Sequence, residues 1–519
     1  MASTFFGLTI AYSGLQAANT SLTITGHNVS NINTKGYTKQ QAGTQAADAL
    51  RTHTTYGAIG SGVVVTEISQ IRDSYYDVKY RNNMANYGQY SVKESYMGQI
   101  EDYLDEFTLN GYSQEYKNFF SAVNQLTITP GDTSAKNQLI NNAKSLADYF
   151  NTLTTNLRNV QADANNEIKD AVQQINSYAK NIAALNRQIN QIEANYGNAN
   201  DLRDKRNAMI DELSEIVNLD TSEEDMGNNV SNFSVRINGQ TLVSSYSYNT
   251  LETVARTDKK NYSDAEGLYD VQWNSGQKFD MYSTSLSGHL KGLIDIRDGN
   301  NGEHENIETD DDGNNVTDSD GNLVLTTAPA ADKTVSYKGV PYYQAQLNEF
   351  AKIFSDAVNK IMKSGYTSDG SSKGISLFVT QPNTTVMSAG NITVNPQLLK
   401  NADLLAIKKE QNDGESDAKI MEELNKLQSE KIFAGGTGSY FLESIVSDMS
   451  IDSQKAVNLY KNYTDLKTSI HNQRLSIMGV DTDEEAMDMI KYQQAYNLNS
   501  KMMSVMNQIY DKLINQTGI

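Results

Sequence analysis

The stretch LINNAKSLADYFNTLTTNLRNVQADANNEIKDAVQQINSYAKNIAALNRQINQI, residues 139–192, decides the fold class. Its apolar residues run Leu139, Ala143, Leu146, Phe150, Leu153, Leu157, Val160 and Ala164. Past a polar patch at Glu167 they continue through Tyr178, Ile182, Leu185, Ile189 and Ile192. Steps of four and three alternate, which lays the side chains along one stripe of a coiled coil or long bundle helix. A helix this long needs a partner to cover that stripe.

Working outward, both ends of the chain carry shorter stripes of the same kind. Leu8, Leu15, Leu22 and Val29 repeat every seven residues near the N-terminus, with Ala11, Ala18 and Ile32 interleaved. Near the C-terminus Met489, Tyr496, Met503 and Tyr510 form one row; Tyr492, Met506 and Leu513 form a second, with Asn499 as its polar exception. A further stripe, Leu459, Tyr463, Leu466, Ile470 and Ile477, is a candidate partner for the long one. Two-row heptads pack against other helices, so the chain ends are expected to fold back beside each other or to pair between subunits. All five prolines (Pro130, Pro329, Pro341, Pro382, Pro396) lie in the interior. Proline removes a helical donor and clashes with the preceding turn, so the proline-free flanks are open to helix.

The middle reads differently. From Thr221 to Asp280 polar and apolar residues alternate, and Phe233 to Val243 passes through Asn238-Gly239, a hairpin signal. Ile375–Thr380 and Asn391–Val394 are strand-like, while Gln344–Met362 presents Leu347, Phe350, Phe354 and Val358 on one helical face. Residues 299–332, rich in Asp, Asn, Gly and Thr, read as a surface insertion.

A chain of 519 residues holds about two to four domains. Its net charge of −20 repels phosphate backbones, so nucleic acid is not an expected partner. With no cysteine, disulfides, thiolate metal sites and cysteine nucleophiles are absent. The N-terminus, Met1-Ala2-Ser3-Thr4-Phe5-Phe6-Gly7, has neither a basic segment nor a long apolar one, and no apolar run reaches the ~20 residues of a membrane span. No membrane partner is expected, and export would use a route without a cleaved signal peptide.

No constellation points to catalysis. His304-Glu305-Asn306-Ile307-Glu308 has a glutamate where a zinc protease needs its second histidine. In the acidic run Asp310-Asp311-Asp312-Gly313 and Asp318-Ser319-Asp320-Gly321, neither glycine register places ligands as a calcium loop requires: Glu308 would be first and Ser319 twelfth, or Val316 first. Gly57, Gly60 and Gly62 lack the Lys-Ser/Thr of a phosphate loop, and no serine sits in a Gly-x-Ser-x-Gly elbow. The expectation is no enzyme, no metal and no cofactor. Methionine and tyrosine at helical spacing near the C-terminus read as core residues, or as a surface that gains its core on assembly.

The segment His27-Asn28-Val29-Ser30-Asn31-Ile32-Asn33-Thr34-Lys35-Gly36-Tyr37-Thr38-Lys39-Gln40 resembles the N-terminal signature of flagellar rod, hook and hook-associated proteins. Its asparagines suit helix ends and turns, and Gly36 allows a positive φ where helix gives way to extended chain. Gly479-Val480-Asp481 to Glu484-Glu485-Ala486, then Ile490-Lys491-Tyr492-Gln493-Gln494-Ala495-Tyr496, resembles the C-terminal signature. Asp481 or Thr482 would cap that helix, with Glu484 and Glu485 in its first turn. Asn200 to Asn207, Gly288 to Asp298, and Pro341-Tyr342-Tyr343 ahead of Leu347 to Ala351 are similar to stretches of the hook-associated protein 1 family.

That resemblance implies a structural subunit joining hook to filament, located outside the cell in the flagellum and exported by the flagellar type III apparatus. Its implied partners are further copies of itself, the hook protein, a second junction protein and an export chaperone at the C-terminal region. The implied assembly interface comprises Leu8, Leu15, Leu22, Asn28, Val29, Asn31, Asn33, Gly36, Tyr37, Met489, Tyr492, Gln493, Gln494, Tyr496, Met503, Met506, Tyr510 and Leu513. The rivals are a hook or rod axial protein and, from another class, a secreted coiled-coil adhesin. The expected architecture is multidomain α+β: residues 1–60 with 480–519 an inner terminal helical domain, 61–220 with 440–479 a long-helix bundle, and 221–439 a β-rich outer domain carrying the acidic insertion 299–332.

Overall fold

The computed structural model describes residues 6–51, 57–109, 112–310, 312–318, 320–329, 335–414 and 416–516. Met1 to Phe5, His53, Asp311, Ser319 and residues 330–334 therefore lie outside the described residues. The helices are α1 (Phe6–Ser30), α2 (Ser74–Leu109), α3 (Tyr112–Ile128), α4 (Thr133–Glu193), α5 (Asn200–Ile216), α6 (His289–Asp298), α7 (Val340–Ser364), α8 (Pro396–Lys400), α9 (Lys419–Leu427), α10 (Gly438–Met478) and α11 (Thr482–Asn515). Strands lie between α1 and α2 and in the stretches from α5 to α9, so the fold is α+β with helical ends and a strand-containing middle.

The quoted stripe lies on the unbroken helix α4, and from Leu139 through Ala164 every one of its residues is buried. Glu167, the polar break in the stripe, accepts a hydrogen bond from the Tyr96 hydroxyl at 2.9 Å. The later stripe on α10 is only partly covered: Ile470 is buried, while Leu466 and Ile477 are exposed. Through Tyr460, Tyr463 and His471, α10 makes ring contacts with α2, at Tyr87, Tyr90 and Tyr80, whereas Phe441 at its start stacks on Phe350 and Phe433.

The chain divides into two units, Met1–Ala85 with Ile175–Thr250 and Thr464–Ile519, and Asn86–Gln174 with Leu251–Tyr463. The second unit is held by a cluster of rings in which Phe350 stacks on Phe150, Phe354 and Phe433, and Phe119 meets Phe354 and Phe378. The Gly288–Asp298 stretch is part of that interior. Gly292 lies so close to α2 that a Cβ there would sit 2.6 Å from the Gln89 carbonyl. Fully buried Arg297 pairs with Asp298 at 2.6 Å, and Arg256 reaches the same carboxylate at 2.7 Å. Burial alone would raise that carboxyl, but the two guanidiniums hold it far below the ordinary range.

The hairpin read from Asn238-Gly239 joins Ser231–Ile237 to Gln240–Ser244, with both turn residues at positive φ, 50° and 78°. It belongs to a four-stranded sheet in the first unit. The acidic insertion is a hairpin of Glu303–Ile307 with Leu325–Pro329. His304 and Glu305 thus stand on a strand, which removes the helical face that paired zinc ligands would need. Between these strands an eight-residue pattern, Thr-Asp-x-Asp-Gly-Asn-x-Val, occurs at 309–316 and again at 317–324. Asp310 and Asp318 each accept backbone N–H groups from the second and fourth residues beyond, so these two carboxylates serve their own turns.

Candidate assembly site at the paired chain ends

Helix α1 packs along α11 in the first unit. Small residues set the approach: Ala11, Ala17, Ala18, Ser21, Thr25 and Asn28 are buried with Ile24, whereas Leu8, Leu15, Leu22 and Val29 are half-buried on the flank of that face. A Cβ on Gly7 would stand 2.8 Å from Met506 Cε, and one on Gly14 would stand 2.6 Å from Asn499 Oδ1. A step of seven forward on α1 is matched by seven backward on α11, so the helices run antiparallel. Asn28 and Glu485, in hydrogen-bond contact, continue the same register at the far end.

At that end three separated sequence motifs meet in one polar joint. Asn28, 1% exposed, donates to Gln40 O (3.0 Å) and to Glu485 Oε1 (3.1 Å), and accepts from Gln40 N (3.0 Å) and the Tyr37 hydroxyl (2.8 Å). Its amide thus serves the Gln40 backbone as an adjoining strand would. Gly36, at φ +80°, turns the chain between α1 and the strand Gln40–Ala46, and Ala208 of α5 lies 3.0 Å from where its Cβ would be. Thr38 donates its N–H (2.9 Å) and its hydroxyl (2.7 Å) to the two oxygens of Asp204, and Gln40 Nε2 donates to Asp201 (2.8 Å).

Charge alternates through the joint. Lys39 reaches Glu484 at 2.8 Å and buried Glu485 at 3.2 Å. Burial opposes the ammonium, yet the two glutamates outweigh it and raise the Lys39 pKa above the ordinary lysine value. Burial first, then the carboxylates of Asp201, Asp204 and Glu485, push the Tyr37 phenol far above its usual range. A second run links Asp204 to Arg72 (3.2 Å), Arg72 to Asp77 (2.7 Å), Asp77 to Arg474 (2.7 Å), Arg474 to Asp211 (2.6 Å) and Asp211 to Arg81 (2.8 Å). It ties the start of α2, helix α5 and the end of α10 together. Asp481 caps α11 by accepting from Asp483 N (2.8 Å) and Glu484 N (3.1 Å).

Of the interface residues named from sequence, Tyr492, Tyr496, Met503, Met506 and Tyr510 are half-buried, whereas Gln493, Gln494, Met489 and Leu513 are exposed. Asn31 donates to the His27 carbonyl at 3.0 Å, while Asn33 and Gly36 are exposed. The structure adds residues that the heptad rows did not single out. Met487, Ile490, Leu498, Met502, Val505 and Ile509 are 64, 57, 66, 47, 49 and 48% exposed. At 3.6 residues per turn they form a second apolar stripe on α11, on a different side from its α1 contact. Its steps of three, eight, four, three and four are present in the sequence, but only the placement of α1 shows which stripe is left over.

The Flagellar hook-associated protein FlgK helical domain matches residues 97–378, more than half of the chain. The chain belongs to the flagellar hook-associated protein FlgK family. The Flagellar basal body rod FlgEFG protein C-terminal family also matches residues 471–516, which hold the end of α10 and all of α11. Flagellar hook-associated protein 1 of Bacillus subtilis (strain 168) is 27% identical over 543 residues, 100% of this chain and 99% of the relative. The proteins of that name in Salmonella typhimurium (strain LT2) and Escherichia coli (strain K12) are each 27% identical, over 97% of this chain and 98% of theirs. The flagellar hook junction protein FlgK from Burkholderia pseudomallei has the same fold, with a TM-score of 0.59 at 14% identity over 77% of this chain and 100% of that one. As a FlgK-family member the chain is a flagellar structural protein. No helix among the described residues is long and apolar enough to cross a membrane.

Proposed function

We propose that this chain is the subunit that joins hook to filament, assembling through its paired terminal helices. The observation that carries the reading is the uncovered apolar stripe of α11, from Met487 to Ile509. A helix with one side fastened to α1 and an apolar stripe on another is built to be covered by a neighbour, because burying such side chains contributes about 1.5–3 kcal/mol each. In an axial assembly those neighbours are further copies of the chain, the hook protein on one side and a second junction protein on the other. Residues 1–60 with 480–519 would form the inner layer, the long helices the next and residues 221–439 the outer one. Before assembly the same stripe is an aggregation hazard. A chaperone bound at the C-terminal region during export through the type III apparatus, without a cleaved signal peptide, would cover it.

Deleting the gene tests the reading. Hooks without filaments, with flagellin shed into the medium, are the expected result; missing hooks would point to a rod or hook protein, and normal motile filaments to the secreted adhesin. Complementation with Leu498→Glu/Val505→Glu should leave the purified monomer folded yet fail to restore filaments. Restored filaments would remove the α11 stripe from the argument.

A further inference from the structure

We propose that Tyr87 of α2 and Tyr460 of α10 form an oxidative cross-linking site, a dityrosine staple in a chain that has 30 tyrosines and no cysteine. Both residues belong to the second unit, are half-buried, and come from helices far apart in sequence. Their ring centroids are 5.5 Å apart at 33°, and their hydroxyl oxygens are 3.5 Å apart. Dityrosine joins the carbons ortho to the two hydroxyls, so the reacting carbons meet only when rings and hydroxyls lie side by side. This pair meets both conditions.

The neighbouring pair is a natural comparison. Tyr90 and Tyr463 stack at 5.4 Å and 17°, but the Lys93 ammonium lies 5.3 Å from the Tyr90 ring. A cation over the ring opposes removal of an electron from it, and burial, then Tyr463 and Asp295, raises the Tyr90 phenol, which makes its proton harder to give up. Tyr75 and Tyr76 also touch, edge-on at 86°, which turns their ortho carbons apart.

The step requires a two-electron oxidant, here hydrogen peroxide acting through a haem peroxidase. Each phenol gives up one electron and one proton, the two phenoxyl radicals couple through one ortho carbon each, and the two ring protons displaced there return the phenols. Peroxide takes up the two electrons and two protons and leaves as two waters. The bond would tie α2 to α10 covalently, where extracellular proteins with cysteine use disulfides.

The test is to treat the purified full-length monomer with horseradish peroxidase and dilute hydrogen peroxide, then digest it and sequence the cross-linked peptides by mass spectrometry. The expected product is one intramolecular peptide joining Tyr87 to Tyr460, lighter by two hydrogen atoms and blue-fluorescent. Tyr87→Phe and Tyr460→Phe, which keep the ring, should each abolish it, Tyr90→Phe should retain it, and urea-unfolded protein should lose the selectivity. Circular dichroism of each variant checks that the helices remain. Folded protein giving no Tyr87–Tyr460 peptide, or giving links spread over exposed tyrosines such as Tyr196 or between molecules, would overturn the proposal.

Discussion

Asn28→Ala removes four hydrogen bonds at a site 1% exposed, without removing any apolar contact surface of note. Two of the partners have another: Tyr37 keeps His27 at 2.9 Å, and Glu485 keeps Lys39 at 3.2 Å. The Gln40 N–H and C=O lose the amide that served them. An unsatisfied buried polar group costs about 1–3 kcal/mol, so the loss is about 3–4 kcal/mol for the pair. The local fold should open first where Asn28 held α1, the strand Gln40–Ala46 and the start of α11 together. Hydrogen exchange resolves this: amides of those three elements should exchange roughly 150- to 700-fold faster, since 1.4 kcal/mol is tenfold. Amides of α7, in the other unit, should be unchanged. Asn28→Asp sharpens the test by setting a carboxylate where an amide now contacts Glu485 at 3.1 Å. Mutual repulsion raises the pKa of the pair above its unfolded value, so the native state binds the extra proton. Stability should then be lowest at neutral pH and recover as pH falls through the carboxylate range. Exchange within threefold of wild type in Asn28→Ala would refute the idea that this amide fastens the chain ends.

Other variants probe different parts of the same logic. Arg474→Leu should lower stability by about 2–3 kcal/mol in urea unfolding, less than the ~3–5 kcal/mol of a buried pair left bare, because Asp77 keeps Arg72 and Asp211 keeps Arg81. Gly14→Val should cost about 1–3 kcal/mol by overpacking against Asn499, whereas Gly14→Ala should come near to neutral because helix propensity returns ~1 kcal/mol; thermal melts of the two separate the terms. Asp356 on α7 is pushed up to about 6, by burial first and then by Asp318 and Asp320, against Lys352 and Lys363. Its folded pKa exceeds the unfolded one, so its contribution falls as pH rises from about 4 to 6, and Asp356→Asn should stabilise by about 1–2 kcal/mol at pH 7 after solvent screening while leaving pH 4 unchanged.

Period and punctuation carried the helices. The four-three stripe from Leu139 onward is local information, fixed by 3.6 residues per turn, and α4 follows it without a break. Asn238-Gly239 likewise specifies its hairpin, because both residues tolerate positive φ. The acidic insertion was legible as surface but not as a hairpin, since its turns are satisfied by aspartates bonding their own backbone rather than by any apolar alternation.

What no local reading reaches is the identity of each partner. Heptad rows at the ends mark helices that will pack, yet they name the leucines of α1, and the closest approach to α11 runs instead through Gly7 and Gly14, where backbone separation rather than side-chain size sets the contact. The late stripe on α10 looked like a mate for α4, while its ring contacts are with the tyrosines of α2. The polar joint could not be assembled from sequence either: Asn28, Asp204 and Glu485 fall in three of the quoted signatures and Arg474 in none, and nothing in their spacing along the chain shows that they meet. The sequence by itself determined the helices, the turns and the signatures at the two ends, because those depend on neighbours within about a turn or a hairpin. Only the tertiary structure decided which polar groups must be buried together and which apolar stripe of α11 stays open. Both depend on where distant segments come to rest.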